Sequence, residues 1–128
     1  MGTIHQQIAL IDARFFAYHG YYPEEQVLGN EFTVDICVTF DKDGVTPADD
    51  LQHTVNYEQL YDIAKTEMQQ PRKLLETVAE AMLSRVSAEF PFVSSVQVSI
   101  TKHNPPFGGD RAKARVTFRW ERTASPAM

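Results

Sequence analysis

Lys102 is the residue whose type and position most strongly indicate chemistry. It follows Val96, Val98 and Ile100 at alternating positions, so its side chain is predicted to point toward the same apolar face at the end of a strand. Loss of hydration there disfavours the charged ammonium group, and such a lysine can act as an acid or a base near neutral pH. The pattern alone favours a structural interpretation, in which the long side chain reaches water around the strand end.

Two carboxylates, Glu76 and Glu25, are the next candidates. Glu76 is expected one turn into a helix, at the border of its apolar stripe beside Leu75. The helix dipole stabilises such a carboxylate by ~0.3–1 kcal/mol, which is a sufficient structural reason for it. If partly buried, it can also bind a planar ligand edge with two N–H donors, such as a guanidine or an aminopyrimidine. Glu25 lies in a predicted loop, where function is common, although a single loop glutamate is by default a solvated charge.

The other reactive side chains have ordinary structural interpretations. Tyr57 is predicted in the first turn of a helix, where an aromatic residue packs its ring and exposes its hydroxyl group. Cys37 falls on the polar face of a strand without a neighbouring base in sequence, so we expect it to be inert. We predict no metal site, because metal-ligand spacing is missing among the four histidines His5, His19, His53 and His103. The chain also lacks a serine nucleophile elbow, a phosphate loop and a dinucleotide-binding glycine motif.

Composition predicts one globular domain. The chain has 128 residues, of which 43% are apolar and 23% charged, and these are ordinary values. We assign the domain to residues 1–122 and expect a flexible tail over 123–128. The net charge of −5, from 12 Lys and Arg against 17 Asp and Glu, argues against nucleic acid as a partner.

Localisation is predicted to be cytoplasmic. No apolar run approaches the ~18 residues that a membrane span requires, so no membrane partner is expected. The N-terminal residues lack the charged start and apolar stretch of a secretory signal. The single cysteine allows no internal disulfide, which fits a reducing compartment.

Periodicity predicts the elements that must position these residues. A strand with imperfect alternation over 4–16 ends at His19–Gly20, and a loop over 21–30 follows. The next strand covers 32–40, and its apolar face consists of Phe32, Val34, Ile36, Val38 and Phe40. After a polar loop over 41–54, Asn56 caps a helix that runs to about residue 69. Pro71 opens a second helix, with an apolar stripe of Leu75, Val78, Ala79, Met82 and Val86.

Two further strands complete a β-β-α-α-β-β order. They are predicted over 96–102 and 112–121, and a turn at 104–109 joins them. Strands with one apolar face fit an α+β fold, in which a four-stranded antiparallel sheet packs both helices on one face. Because unprotected edge strands need a cover or a partner, we expect oligomerisation through the strand edges.

Five sequence blocks, in this order, resemble the dihydroneopterin aldolase family. They are FAYHG at 16–20 followed by Glu25 and Gly29, FTVD at 32–35, TVNY at 54–57, LLETVAE at 74–80 and ITKHNPP at 100–106. One block alone is weak, but five with similar separations are specific, and they span about residues 8–122. The resemblance implies a tunnelling fold, in which the sheets of several subunits join into a barrel with the helices outside. It also implies a homo-oligomer, a tetramer or an octamer, with active sites at subunit interfaces.

The same resemblance implies a folate-pathway lyase that cleaves 7,8-dihydroneopterin into 6-hydroxymethyl-7,8-dihydropterin and glycolaldehyde. This retro-aldol reaction uses no Schiff base, metal or cofactor, because the protonated pterin accepts the electrons. Lys102 corresponds to the catalytic lysine, and Glu25 to the glutamate paired with it. Tyr57 matches a catalytic tyrosine supplied by a neighbouring subunit, and Glu76 matches the glutamate that binds the pterin. The pocket is completed by backbone groups around Val55 and Leu75.

Two other functions stay open. One is a 2'-epimerase of 7,8-dihydroneopterin or its triphosphate. If the cleaved bond forms again on the opposite face of the aldehyde, the configuration of a side-chain carbon is inverted. The triphosphate is slightly less favoured, since no clear cluster of Lys and Arg lies near the motif loops, although Arg72–Lys73 is close to Glu76. The second is a pterin- or purine-binding module without catalysis, which the presence of Lys102, Glu25 and Tyr57 disfavours. A zinc-dependent relative acting on pterin triphosphates is excluded, because its histidine triad is missing.

Overall fold

The computed structural model describes residues 2–41, 54–104 and 111–123. Its elements are, in chain order, β1 (His5–Ala17), α1 (Pro23–Leu28), β2 (Asn30–Asp41), α2 (Tyr57–Met68), α3 (Leu75–Glu89), β3 (Ser95–Lys102) and β4 (Ala114–Glu121). This is the predicted β-β-α-α-β-β order with one additional short helix, α1. Residues 42–53, 105–110 and 124–128 lie outside the described residues. They contain most of the predicted polar loop, of the predicted turn and of the predicted tail, respectively.

The four strands form one antiparallel sheet in the order β1-β2-β3-β4, which confirms the predicted α+β architecture. All five predicted apolar positions of β2 are buried: Phe32, Val34, Ile36, Val38 and Phe40. Full burial of one such side chain stabilises the fold by roughly 1.5–3 kcal/mol. In the register of the sheet, Phe32 lies opposite Phe15 of β1 and opposite Lys102 of β3. Lys102 is therefore located at the end of the sheet where β2 begins.

The long helices α2 and α3 bury their apolar faces in the same core as the sheet. Four of the five predicted stripe residues of α3 are fully buried, namely Val78, Ala79, Met82 and Val86, whereas Leu75 is half-buried. Asn56 caps α2 as predicted, because its side chain accepts the N–H of Glu58 at 3.0 Å. No helix within the described residues is long and apolar enough to cross a membrane.

A β-bulge in β1 explains the imperfect alternation of the first strand. Leu10 pairs with Ile36 and Ala13 pairs with Val34, so two residues of β1 oppose the single residue Asp35. Asp12 adopts a positive φ of 56°, and its N–H donates to Oδ1 of Asp35 at 2.9 Å. The bulge reverses the side-chain alternation between the two halves of the strand.

The short helix α1 occupies most of the segment predicted to be a loop. Pro23 is its first residue, where a missing N–H costs nothing, and Glu24 and Glu25 in the first turn complement the helix dipole. Gly29 ends the helix with a φ of 74°, and its N–H donates to the carbonyl of Glu25 at 3.0 Å. Six residues are too few to show a helical period, so the sequence pattern does not reveal α1.

The second long helix begins later than predicted, because α3 starts at Leu75 and not at Pro71. The cause is a contact between distant segments of the chain. The N–H of Arg72 donates to Nδ1 of His19 at 3.1 Å, and the carbonyl of Arg72 accepts the N–H of Gly20 at 3.0 Å. These two bonds hold Arg72 in a non-helical linker between α2 and α3.

Candidate active site

The side chains of Lys102 and Glu25 form an ion pair at the end of β3. Nζ of Lys102 donates to Oε2 of Glu25. Only 11% of the lysine side chain and 17% of the glutamate side chain are exposed. Because little water separates or screens the two charges, their attraction is stronger than that of a surface pair. The arrangement places one proton donor and one acceptor in a sheltered position.

Gly20 and the start of α1 determine where the Glu25 carboxylate lies. Oε1 of Glu25 accepts the backbone N–H of Tyr22 at 3.4 Å, while Oε2 faces Lys102. A Cβ atom built at Gly20 would overlap Cβ of Glu25 and lie 2.8 Å from its Cδ. The side chain of Gln26 donates to the carbonyl of Gly20 at 2.9 Å. Glycine is therefore required at position 20 for this close approach.

A cleft of about 580 Å³ opens beside Glu25. Its walls come from the end of β1, from α1, from the start of β2 and from the segment after β3, and they include Phe16, Leu28 and Asn104. Asn30 connects two of these walls, because its Nδ2 donates to the carbonyl of Asn104 at 2.7 Å. Apolar walls with a few polar groups, at a volume within ~300–1,000 Å³, are typical of small-molecule sites.

Of the predicted site residues, only Glu25 lines this cleft. Tyr57 is the first residue of α2 and is 62% exposed, and Glu76 lies exposed in the first turn of α3. Glu76 is thus more accessible than a border position of the apolar stripe suggests. Val55 is buried in the core and Leu75 is half-buried. The structure therefore brings Lys102 and Glu25 together and leaves these four residues outside the cleft.

His19 is a further residue of this region, which the sequence pattern indicated only as the end of a strand. It is fully buried, and its ring meets that of Phe32 edge to face at 5.5 Å between centroids. Burial and then the positive charge of Arg72 lower the pKa of His19 from 6.5 to about 4. The Met68 carbonyl acts in the opposite direction, and the charge of Lys102 lowers the pKa further.

Charged groups that could hold a metal ion are not gathered anywhere in the described part of the chain. Within residues 2–41, 54–104 and 111–123, no group of three or more His, Cys, Asp or Glu side chains has a suitable arrangement. His103 instead contacts the hydroxyl group of Thr33 at 3.0 Å, and His5 contacts Asp41 at 2.6 Å. His53 lies outside the described residues.

Comparison with known proteins shows where this architecture recurs. The family model FolB: Dihydroneopterin aldolase matches residues 8–119. A curated dihydroneopterin aldolase from Bacillus subtilis (strain 168) is 38% identical over 96 residues, which cover 74% of this chain and 80% of the relative.

Two solved structures share the fold. Escherichia coli dihydroneopterin aldolase in complex with neopterin has a TM-score of 0.77 at 20% identity, over 90% of this chain and 98% of that chain. A dihydroneopterin aldolase from Burkholderia thailendensis bound to guanine has a TM-score of 0.76 at 16% identity, over 93% of each chain. These likenesses confirm the predicted tunnelling fold of the single chain. With a family model that matches most of its length and a relative 38% identical, this chain belongs to the dihydroneopterin aldolase family.

Proposed function

We propose that this chain cleaves 7,8-dihydroneopterin into 6-hydroxymethyl-7,8-dihydropterin and glycolaldehyde. The observation that carries the proposal is the sheltered ion pair of Lys102 and Glu25 at the end of β3. The cleft beside Glu25 supplies space for a ligand, and membership of the family supplies the substrate class. A lysine held by a carboxylate next to such a cleft suits proton transfer to a bound ring.

The reaction breaks the bond between the first and second side-chain carbons of the substrate. Protonation of ring nitrogen N5 creates a conjugated iminium, which accepts the electron pair of the breaking bond. The hydroxyl group on the second carbon loses its proton, and that carbon leaves as the aldehyde carbon of glycolaldehyde. The remaining enol gains a proton on its side-chain carbon and loses the proton on N5, which gives the hydroxymethyl product. We assign the proton transfers in this region, at N5 and at the side-chain carbon bonded to C6, to Lys102, held by Glu25, directly or through water.

Glu76 is the proposed anchor for the pterin ring. Neopterin and guanine, the ligands of the two related structures, share an aminopyrimidinone edge with neighbouring N–H donors. A carboxylate can accept two such donors in a charge-assisted pair, which fixes the orientation of the ring. The exposure of Glu76 at the start of α3 leaves its oxygens accessible for this purpose. Backbone groups around Val55 and Leu75 would complete the pocket.

Tyr57 is proposed to act in the active site of a neighbouring subunit, where it helps to remove the side-chain hydroxyl proton. Its high exposure and its position outside the cleft support a role across an interface. The outer strands β1 and β4 supply edges through which sheets of several subunits can join. These edges support oligomerisation, and the family resemblance suggests the number of subunits, so we propose a homo-oligomer, a tetramer or an octamer, which we expect in the cytoplasm.

The test is incubation of the purified protein with 7,8-dihydroneopterin and a chelator, followed by chromatography of the pterins. Lys102→Ala is expected to retain binding of neopterin but to lose most turnover, because the proton donor is absent. Lys65→Ala serves as the matched control, since it removes an exposed lysine from α2. We expect the control to keep wild-type turnover.

Each product pattern has a distinct meaning. Formation of 6-hydroxymethyl-7,8-dihydropterin with the chelator present supports the metal-free aldolase. An epimer without cleavage would move the function to the 2'-epimerase. Substrate that binds but stays unchanged would leave a pterin-binding module, and normal turnover by Lys102→Ala would contradict the role of that lysine.

A further inference from the structure

His19 and Arg72 join two segments that are distant in sequence. The N–H of Arg72 donates to Nδ1 of His19 at 3.1 Å, and the Gly20 N–H donates to the carbonyl of Arg72 at 3.0 Å. The imidazole thus takes the place of a backbone acceptor, and both backbone groups of Arg72 are bonded to adjacent residues of one segment. We call these two bonds the His19–Arg72 clamp.

The side chain of Arg72 connects the clamp to both long helices through Glu67. Oε1 of Glu67, on α2, accepts Nη2 of Arg72 at 2.8 Å. Oε2 of Glu67 accepts Nη1 of Arg85, on α3, at 3.0 Å. Glu67 is buried, and its two carboxylate oxygens connect the linker residue Arg72 to both helices, which holds the linker in one position. Arg72 is therefore a fixed point to which His19 can tie its own segment.

The two clamped segments lead to the two halves of the proposed site. Gly20 is in close contact with Glu25, which pairs with Lys102. Arg72 precedes Glu76 by four residues, across the linker that ends at the start of α3. A displacement of one segment relative to the other would change the distance between the proton-transfer pair and the pterin anchor.

We propose that His19 is a positioning residue, whose Nδ1 fixes the separation between the Lys102–Glu25 pair and the carboxylate of Glu76. The inference rests on the proposed function, because that function assigns proton transfer to one carboxylate-bound lysine and ring binding to the other carboxylate. His19 itself does not touch the substrate. Its effect on the reaction is to hold the substrate ring at reacting distance from Lys102.

The state of the His19 ring supports this role. Because Nδ1 accepts an N–H, it carries no proton, and the hydrogen of the neutral ring is on Nε2. Nε2 makes no hydrogen bond of ordinary geometry with any described residue, although the Met68 carbonyl is close enough to raise the pKa of the ring. A phenyl ring would fill the same space without an unsatisfied donor, so the acceptor at Nδ1 is the property that histidine adds. The lowered pKa of His19 agrees with a neutral ring.

The experiment compares two replacements of nearly equal shape. His19→Asn keeps an acceptor close to the position of Nδ1, whereas His19→Leu removes it. Val86→Ala, in the buried part of α3, is the control for a general loss of stability. The kcat and KM for 7,8-dihydroneopterin are measured for all forms at a temperature where each is folded, and amide exchange is followed at Gly20 and Arg72.

His19→Leu is expected to lower kcat about tenfold or more with little change in KM, because a misplaced ring still binds but reacts slowly. His19→Asn is expected to keep kcat within a few-fold of wild type. Amide exchange at Gly20 and Arg72, relative to amides of β3, should accelerate in His19→Leu and not in Val86→Ala.

Two results would overturn the positioning role. One is a kcat of His19→Leu equal to that of Val86→Ala, and the other is a kcat of His19→Asn as low as that of His19→Leu. If the wild-type protein does not cleave the substrate, the proposed function fails separately. Amide exchange then decides whether the clamp exists, because unchanged exchange in His19→Leu would refute it.

Discussion

His19 resists protonation because its ring is buried and lies near the positive charge of Arg72. The pKa of His19 is lowered to about 4 in the folded chain by burial first and by the charges of Arg72 and Lys102, against an ordinary value of 6.5. Between these values the unfolded chain binds the additional proton. The contribution of His19 to stability is therefore complete above pH 6.5, and it is lost as the pH falls from 6.5 toward 4.

We predict that this contribution is on the order of 3 kcal/mol. Urea denaturation of wild type and His19→Asn, at equal protein concentration between pH 4 and pH 8, measures it. The difference in unfolding free energy between the two proteins should shrink as the pH falls through this window. A pH-independent difference would show that the His19 ring does not titrate with unfolding.

For a single residue, how much the sequence predicts depends on how far along the chain its contact partner lies. The direction of Lys102 follows from alternation within its own strand, which is local. Its pairing with Glu25 came from the family resemblance, because the two residues are 77 positions apart. The acceptor role of His19 was missed for the same reason, since Arg72 is 53 positions away. A histidine directly before a glycine, at the end of a predicted strand, is the sequence signal that could have prompted a search for its partner.

At the level of elements, Gly20 sets how closely α1 can approach the end of β1. We predict that Gly20→Ala displaces Glu25 from Lys102, because the new Cβ would overlap Cβ of Glu25. Displacement by about 1 Å can lower turnover by up to ~100-fold. Gly2→Ala is the matched control, since no atom lies within 4 Å of a Cβ built there. The turnover of 7,8-dihydroneopterin measures both, and equal values would contradict the close approach as a requirement.

Long helices and strands with a clear hydrophobic period were predicted correctly. A short helix, and a helix start that is set by a distant contact, were not. The alternation of β2 and the stripe of α3 follow from burial on one face, which sequence displays directly. The helix α1 is too short to show a period, and the start of α3 is shifted by the bonds of Arg72 to a distant segment. The start of α3 is thus a place where tertiary contacts override local preference, whereas α1 carries too little local signal to be detected.

At the level of the whole molecule, the proposed site divides between subunits. Tyr57→Phe and Lys102→Ala are each expected to be nearly inactive alone. If Tyr57 serves a neighbouring subunit, hybrid oligomers formed from equal amounts will contain sites with both native residues. Random mixing predicts that about a quarter of the sites are intact, with a corresponding recovery of turnover.

The control for this mixing experiment combines two variants whose changes both lie in the half of the site that a single subunit supplies. Lys102→Ala mixed with Glu25→Ala should recover no comparable activity, because both residues belong to the same ion pair. Recovery with neither mixture, after exchange of subunits has been verified by mass, would place Tyr57 and Lys102 in the same subunit's site or outside any shared site.

The bulge at Asp12 has a consequence for how copies of this chain meet. It interrupts the outer strand β1 near its middle and leaves Ile11 69% exposed. A strand approaching from another molecule can therefore match only one half of this edge in register, since the two halves differ by one residue. Such an edge is a poor template for open-ended stacking of strands into fibres. The same irregularity that disturbs the alternation of β1 thus guards this edge against fibre-like stacking.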